Sequence, residues 1–204
     1  MIDKGPVFSG VGRRLGIRAA YADVSLWGYV THTPSQIAAK RAIGELVSKP
    51  GNQILVISGP SGVGKTHLLC AGLRMADEGR YVTMMEVDIR IRGSHSARGE
   101  ETEAKILDEL IGEPLLAIDG VNHEGKGTRL EHDWFKYIVS ERQARLRPTI
   151  LATNRHLIST CPEKGCELCL EGLLGNFIIS RITETIIIDG PNYRENNSNI
   201  KGGI

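Results

Sequence analysis

The chain has 204 residues, 41% of them hydrophobic, which suits one domain with a real core and excludes wholesale disorder. With 25 basic and 24 acidic residues the formal net charge is +1, so any surface that attracts nucleic acid must be local. No run of about 18 apolar residues occurs, and Met1–Gly16 lacks an apolar signal core. A cytoplasmic protein without a membrane partner is expected, its four cysteines kept as thiols or metal ligands.

Residues 1–30 are glycine-rich and read as an arm packed on, or trailing from, the domain. Thr33-Pro34-Ser35-Gln36 predicts a helix start: Thr33 caps, Pro34 suits the first turn and Gln36 stands where a capping box wants it. That helix should run to Val47. Ile54-Leu55-Val56-Ile57 is a short apolar run between turn residues, the pattern of a buried parallel strand. A glycine-rich loop follows, then a helix from Lys65 to Glu78, stopped by Gly79. Tyr81 to Val87 reads as a strand, and Thr102 to Ile111 as an amphipathic helix with Ile106, Leu107 and Leu110 on one face. Leu115 to Asp119 and Pro148 to Thr153 are further buried strands, separated by a helix over Asp133 to Arg145. A cysteine-rich stretch precedes a short helix around Leu173 to Ile182 and a strand at Thr185 to Ile188. This alternation predicts an α/β fold with a mostly parallel central sheet flanked by helices. Residues 31–194 form its domain, and 195–204 read as a polar, disordered tail.

The segment Gly59-Pro60-Ser61-Gly62-Val63-Gly64-Lys65-Thr66 matches the G-x-x-x-x-G-K-[ST] phosphate loop in full. Its glycines let successive backbone N–H groups point inward at phosphate oxygens, and the following helix adds the positive end of its dipole. Lys65 is placed to reach the β- and γ-phosphates, and the Thr66 hydroxyl to ligate magnesium. Asp119 ends an apolar parallel strand, at the mouth of the sheet where ligands bind. It is the second magnesium-binding candidate, acting through water. The plain alternatives are a tight turn with an exposed lysine and an ordinary strand-ending aspartate.

With both motifs placed, the chain from Asp23 to Arg194 resembles the DnaC/DnaI-type helicase loaders and their IstB-type relatives, members of the AAA+ P-loop NTPases. The resemblance rests on Gln36, on ISGPSGVGKTHLL with His67 after the loop threonine, and on DELIGEPLLAIDGV around Asp119. It extends to RPTILATN, ending at Asn154, and to ISRITETIIIDGPNYR at the close. The family implies ATP and Mg2+ as cofactors. It implies that Asn154 orients the attacking water, that Arg181 is an arginine finger for a neighbouring subunit's ATP, and that Arg194 is a second sensor. It also implies a replicative helicase and single-stranded DNA as partners, with self-association in the ATP state. The chain departs from the family at Gly120, where members place an acidic residue; Glu124, a few residues on, is the candidate substitute, though its spacing differs from the family's. Unlike longer loaders, it shows no separate helicase-binding domain, so residues 1–30 or another protein would have to make that contact.

Arg90, Arg92 and Arg98, in a stretch with His95 and two serines, are candidate contacts to single-stranded DNA. Arg142, Arg145 and Arg147 form a second basic run. Either group can equally be a solvated face. Cys161, Cys166 and Cys169, with His156 upstream, could supply four zinc ligands, but only one pair has short spacing, so a loop of reduced thiols is the preferred reading. The leading expectation is an ATPase that serves DNA replication as a helicase loader. The alternatives are an IstB-type transposition helper, a P-loop kinase of a small molecule, and a nucleotide-gated module that barely hydrolyses ATP.

Overall fold

The computed structural model describes residues 12, 14–95, 101–121, 129–156 and 169–194; within these, the side chains of 129–132 and 171–174 are outside the description. The described elements are α1 (Pro34–Ser48), β1 (Ile54–Ser58), α2 (Lys65–Ala76), β2 (Arg80–Thr83), α3 (Met84–Ser94), α4 (Glu103–Gly112), β3 (Leu116–Asp119), α5 (Arg129–Ala144), β4 (Thr149–Thr153), α6 (Leu170–Ile179) and β5 (Glu184–Ile187). The five strands form one sheet in the order β2-β3-β4-β1-β5, and every pairing is parallel.

All residues of β1 and β4 are buried, as expected for central strands covered on both faces. Alternation still sorts their side chains. Leu55, Ile57, Ile150, Ala152 and Ala117 pack toward α1 and α2, whereas Ile54, Val56, Leu151 and Ile118 pack toward α3 to α6. The arm contributes to the first layer: Leu15, Ile17, Leu26 and Tyr29 are buried there. The Tyr81 amide donates to the Leu15 carbonyl at 2.7 Å, so the arm lies along the outer edge of β2.

Thr33 caps α1, its hydroxyl accepting from the Gln36 amide. The Gln36 side chain does not return to the cap. Its Oε1 accepts from the His32 amide at 2.7 Å, and its Nε2 donates to the Val63 carbonyl at 3.4 Å, which ties α1 to the phosphate loop.

Three sequence expectations need correction. The strand over Tyr81 to Val87 ends at Thr83, and α3 begins at once. Thr83 and Glu86 form a complete capping box there, each side chain bonding the other's backbone. The closing helix starts three residues sooner than Leu173 and is broken at Gly175, whose φ of 71° and ψ of 163° are non-helical. Arg142 is not on a solvated face but fully buried. Its Nη1 donates to the carbonyls of Leu110, Ile111 and Glu113, its Nη2 to Pro148, and its Nε to the Thr149 hydroxyl. It serves the open carbonyls at the end of α4 and clamps them to the start of β4. Burial pulls its pKa below the usual arginine value, with nearby Arg147 adding to the effect.

Candidate nucleotide site

The parallel sheet brings three loops to one end. Ser58 pairs in register with Thr153, and Thr83 with Asp119, so the phosphate loop, Asp119 and Asn154 emerge side by side. They surround a cavity of about 610 Å³ lined by Ser61, Gly62, Gly64, Lys65, Thr66, His67, Asp119, Gly120 and Asn154. Arg18, Tyr21, Gly28, Tyr29, Val30, Tyr81, Thr83, Tyr193 and Arg194 complete the wall.

Gly64 sits at the turn into α2 with φ of 100°. A Cβ there would stand 2.8 Å from the Tyr29 ring, so both backbone and space demand glycine. Lys65 folds back along the loop, and its ammonium donates to the carbonyls of Gly59 and Pro60 at 2.6 Å each. Burial lowers its pKa to about 8; the Asp119 carboxylate opposes the shift and Arg194 adds to it.

The Thr66 hydroxyl donates to Asp119 Oδ2 at 2.6 Å, and the Tyr81 hydroxyl donates to the same oxygen at 2.9 Å. The Gly120 amide donates to Asp119 Oδ1 at 2.8 Å. A hydroxyl and a carboxylate side by side at the end of a phosphate loop are the hard oxygen donors that fit magnesium. Asn154 Nδ2 donates to the Ser61 hydroxyl at 3.1 Å, directly above the loop. Gly120 has φ of 70°, and no described atom lies within 4 Å of where its Cβ would stand. Glu124 lies outside the described residues.

His67 packs edge-on against Tyr29, with ring centroids 5.2 Å apart, and burial lowers its pKa. The closing segment crosses the mouth of the site. The Tyr193 amide donates to the Gly62 carbonyl at 3.1 Å, its hydroxyl donates to the Val30 carbonyl at 2.9 Å, and Arg194 follows at the cavity wall. Arg181 is not part of this cavity. Its guanidinium lies over the Phe177 ring, 3.6 Å from the centroid, and donates to the Phe177 carbonyl at 2.6 Å.

The basic stretch expected near DNA is divided. Arg90 lies on helix α3, not in a loop, and pairs with Glu101 at 2.8 Å and Glu109 at 2.6 Å. These carboxylates raise its pKa, so its charge is already balanced. Arg92 is exposed on the same helix, while Arg98 lies outside the described residues. Of the four zinc candidates, Cys169 Sγ and His156 Nε2 meet at 3.1 Å; Cys161 and Cys166 lie outside the described residues. Among the described residues no three potential ligands converge, and no helix is long and apolar enough to cross a membrane.

Sequence reading missed Arg18, Tyr29 and Tyr81. Tyr81 looked like one more strand residue, and only the β2–β3 register places its hydroxyl at Asp119. The family signature at the close did contain Tyr193.

A parallel five-stranded sheet with a phosphate loop after β1, an aspartate ending β3 and an asparagine after β4 defines a P-loop NTPase fold of the AAA+ type. No family model matches the chain, and no curated protein matches it at a significant level. Solved structures do. The DnaC helicase loader superposes with a TM-score of 0.70 and 23% identity, over 84% of this chain and 100% of that one. A DNA replication initiation factor gives 0.68 and 20%, covering 88% and 54% of the two chains. Replication initiator DnaA, bound to AMPPCP and single-stranded DNA, gives 0.66 and 18%, covering 92% and 57%. The chain thus spans little more than half the length of the last two. At these identities the likeness establishes the fold, which is that of the DnaC/DnaI-type loaders.

Proposed function

We propose that this chain is an ATP-binding accessory protein of DNA replication: a helicase loader that self-associates in the ATP state and engages single-stranded DNA and a replicative helicase. The observation that carries this reading is the convergence of Lys65, Thr66, Asp119 and Asn154 on one cavity. In it Lys65 balances the β- and γ-phosphates. Thr66 and Asp119 hold magnesium, which when bound neutralises charge on the phosphates. Asn154 serves the γ-phosphate, and Arg194 lines the same cavity. Arg181, which does not line its own cavity, suits a neighbouring subunit's nucleotide. The DNA and helicase partners are carried over from proteins of the same fold, the DnaC helicase loader and the DNA-bound DnaA. On the chain itself, Arg92 is the exposed candidate for phosphate contact.

Without a carboxylate at position 120, turnover is slow and the protein works more as a switch than as a motor. The deciding experiment is to size the protein with and without ATP and single-stranded DNA, beside Lys65→Ala. ATP-dependent oligomers that the variant cannot form support the reading. A monomer under all conditions, or turnover of a small-molecule phosphoryl acceptor, overturns it.

A further inference from the structure

Tyr81 has no part in the phosphate-loop and strand-end signatures, yet its hydroxyl ends on the same carboxylate oxygen as Thr66. Tyr81 pairs in register with Ala117, and Thr83 with Asp119. These four side chains therefore share the face of the sheet that α2 covers. Ala117, opposite Tyr81, carries only a methyl group, and the phenol hydroxyl reaches Asp119 two residues further along the strand. The residue is buried, at 4% exposure, with its ring in the core and its hydroxyl at the cavity wall beside Asp119.

Asp119 is thereby held at both oxygens. Oδ1 takes the Gly120 amide at 2.8 Å, while Oδ2 takes Thr66 at 2.6 Å and Tyr81 at 2.9 Å. The Gly120 bond comes from the adjacent residue and Thr66 is itself a magnesium candidate. Tyr81 is the donor from a separate strand, anchored in the core and not a candidate ligand. From this geometry we infer that Tyr81 is a positioning residue for the magnesium site, fixing the rotation of the Asp119 carboxylate. The inference rests on the proposed magnesium-nucleotide reading and adds a residue to it. Partners that orient a directly ligating side chain are worth about 10–100-fold in metal affinity, and Asp119, acting through water, puts Tyr81 at the low end of that range.

The test is Tyr81→Phe, which keeps the ring and removes the one hydroxyl. Binding of a fluorescent ATP analogue is titrated with Mg2+ and repeated in EDTA, with thermal melting of the nucleotide-free protein alongside. The variant should need about ten-fold more Mg2+ for half-maximal effect, while its EDTA affinity and melting stay close to wild type. An unchanged or lower Mg2+ requirement overturns the inference, the latter by making the phenol a competitor of the metal. A parallel loss in EDTA also overturns it, by making the role structural. If wild type itself shows no Mg2+-dependent binding, the nucleotide reading falls first, and that failure is distinct because the variant plays no part in it.

Discussion

At the scale of single residues, Lys65 combines two properties that bear on binding: its pKa is lowered to about 8 by burial, and its partners are loop carbonyls that a phosphate would replace. Triphosphate adds negative charge and raises that pKa in the complex, so the complex holds the proton more tightly than the free protein. Affinity is then full below about pH 8 and declines as pH rises through the free protein's pKa. Isothermal titration from about pH 6.5 to about pH 9.5 should show this fall in wild type and a flat profile in Lys65→Ala; a flat wild-type profile would contradict it. Gly120 makes a second case. Its φ of 70° charges any L side chain about 1–2 kcal/mol, while the space around its Cβ position is open among the described residues. Gly120→Glu should therefore lower the melting temperature modestly and still raise ATP turnover, by about ten-fold or more, because a positioned base is worth about 10²–10⁴ in rate. Brisk wild-type turnover that collapses in Glu124→Gln would assign the role to Glu124 instead.

Among the elements, the junction of α4, α5 and β4 depends on one side chain. Arg142 gives five hydrogen bonds, four to backbone carbonyls, of which those to Leu110, Ile111 and Pro148 are buried. Replacing it with methionine fills the volume but strands the carbonyls that have no second donor (Pro148 keeps the Leu116 amide), at about 1–3 kcal/mol for each one left unsatisfied. Relaxation will recover part of this, and a loss of about 3–5 kcal/mol is expected in urea unfolding. A loss below about 1 kcal/mol would show that the carbonyls find other partners. Nothing in Glu141-Arg142-Gln143-Ala144-Arg145 distinguishes the buried arginine from its exposed neighbour Arg145, because the helical turn that faces the sheet is chosen by packing. The end of β2 was different. Tyr81-Val82-Thr83-Met84-Met85-Glu86-Val87 looks strand-like by composition, but Thr83 and Glu86 stand at capping-box spacing, a local signal that was present and overlooked.

Across the whole molecule, the relation between Arg181 and the cavity is the informative one. The guanidinium is held by Phe177 and stays apart from its own phosphate loop. Arg181→Ala should leave nucleotide binding to the isolated chain unchanged while weakening ATP-dependent assembly and turnover. Mixed with Lys65→Ala, it should recover part of the activity, because one interface then joins an intact nucleotide site to an intact finger. With both variants folded, no recovery would make Arg181 structural.

The phosphate loop and the aspartate ending β3 were legible from sequence because their chemistry is local: a spacing of glycines, a lysine and a hydroxyl, and a carboxylate closing an apolar run. The order of strands and helices was legible for a similar reason, since short apolar segments bounded by turn residues need no distant partner to be recognised. The sequence by itself therefore determined the fold class and picked out residues that line one end of the cavity. Tertiary structure alone decided the rest. It set Tyr81 on Asp119 through strand register, laid the arm along β2, passed Tyr193 across the phosphate loop, balanced Arg90 with two carboxylates and turned Arg142 inward. Each of these joins residues of different elements, and their meeting depends on how helices and strands pack, which no local pattern encodes.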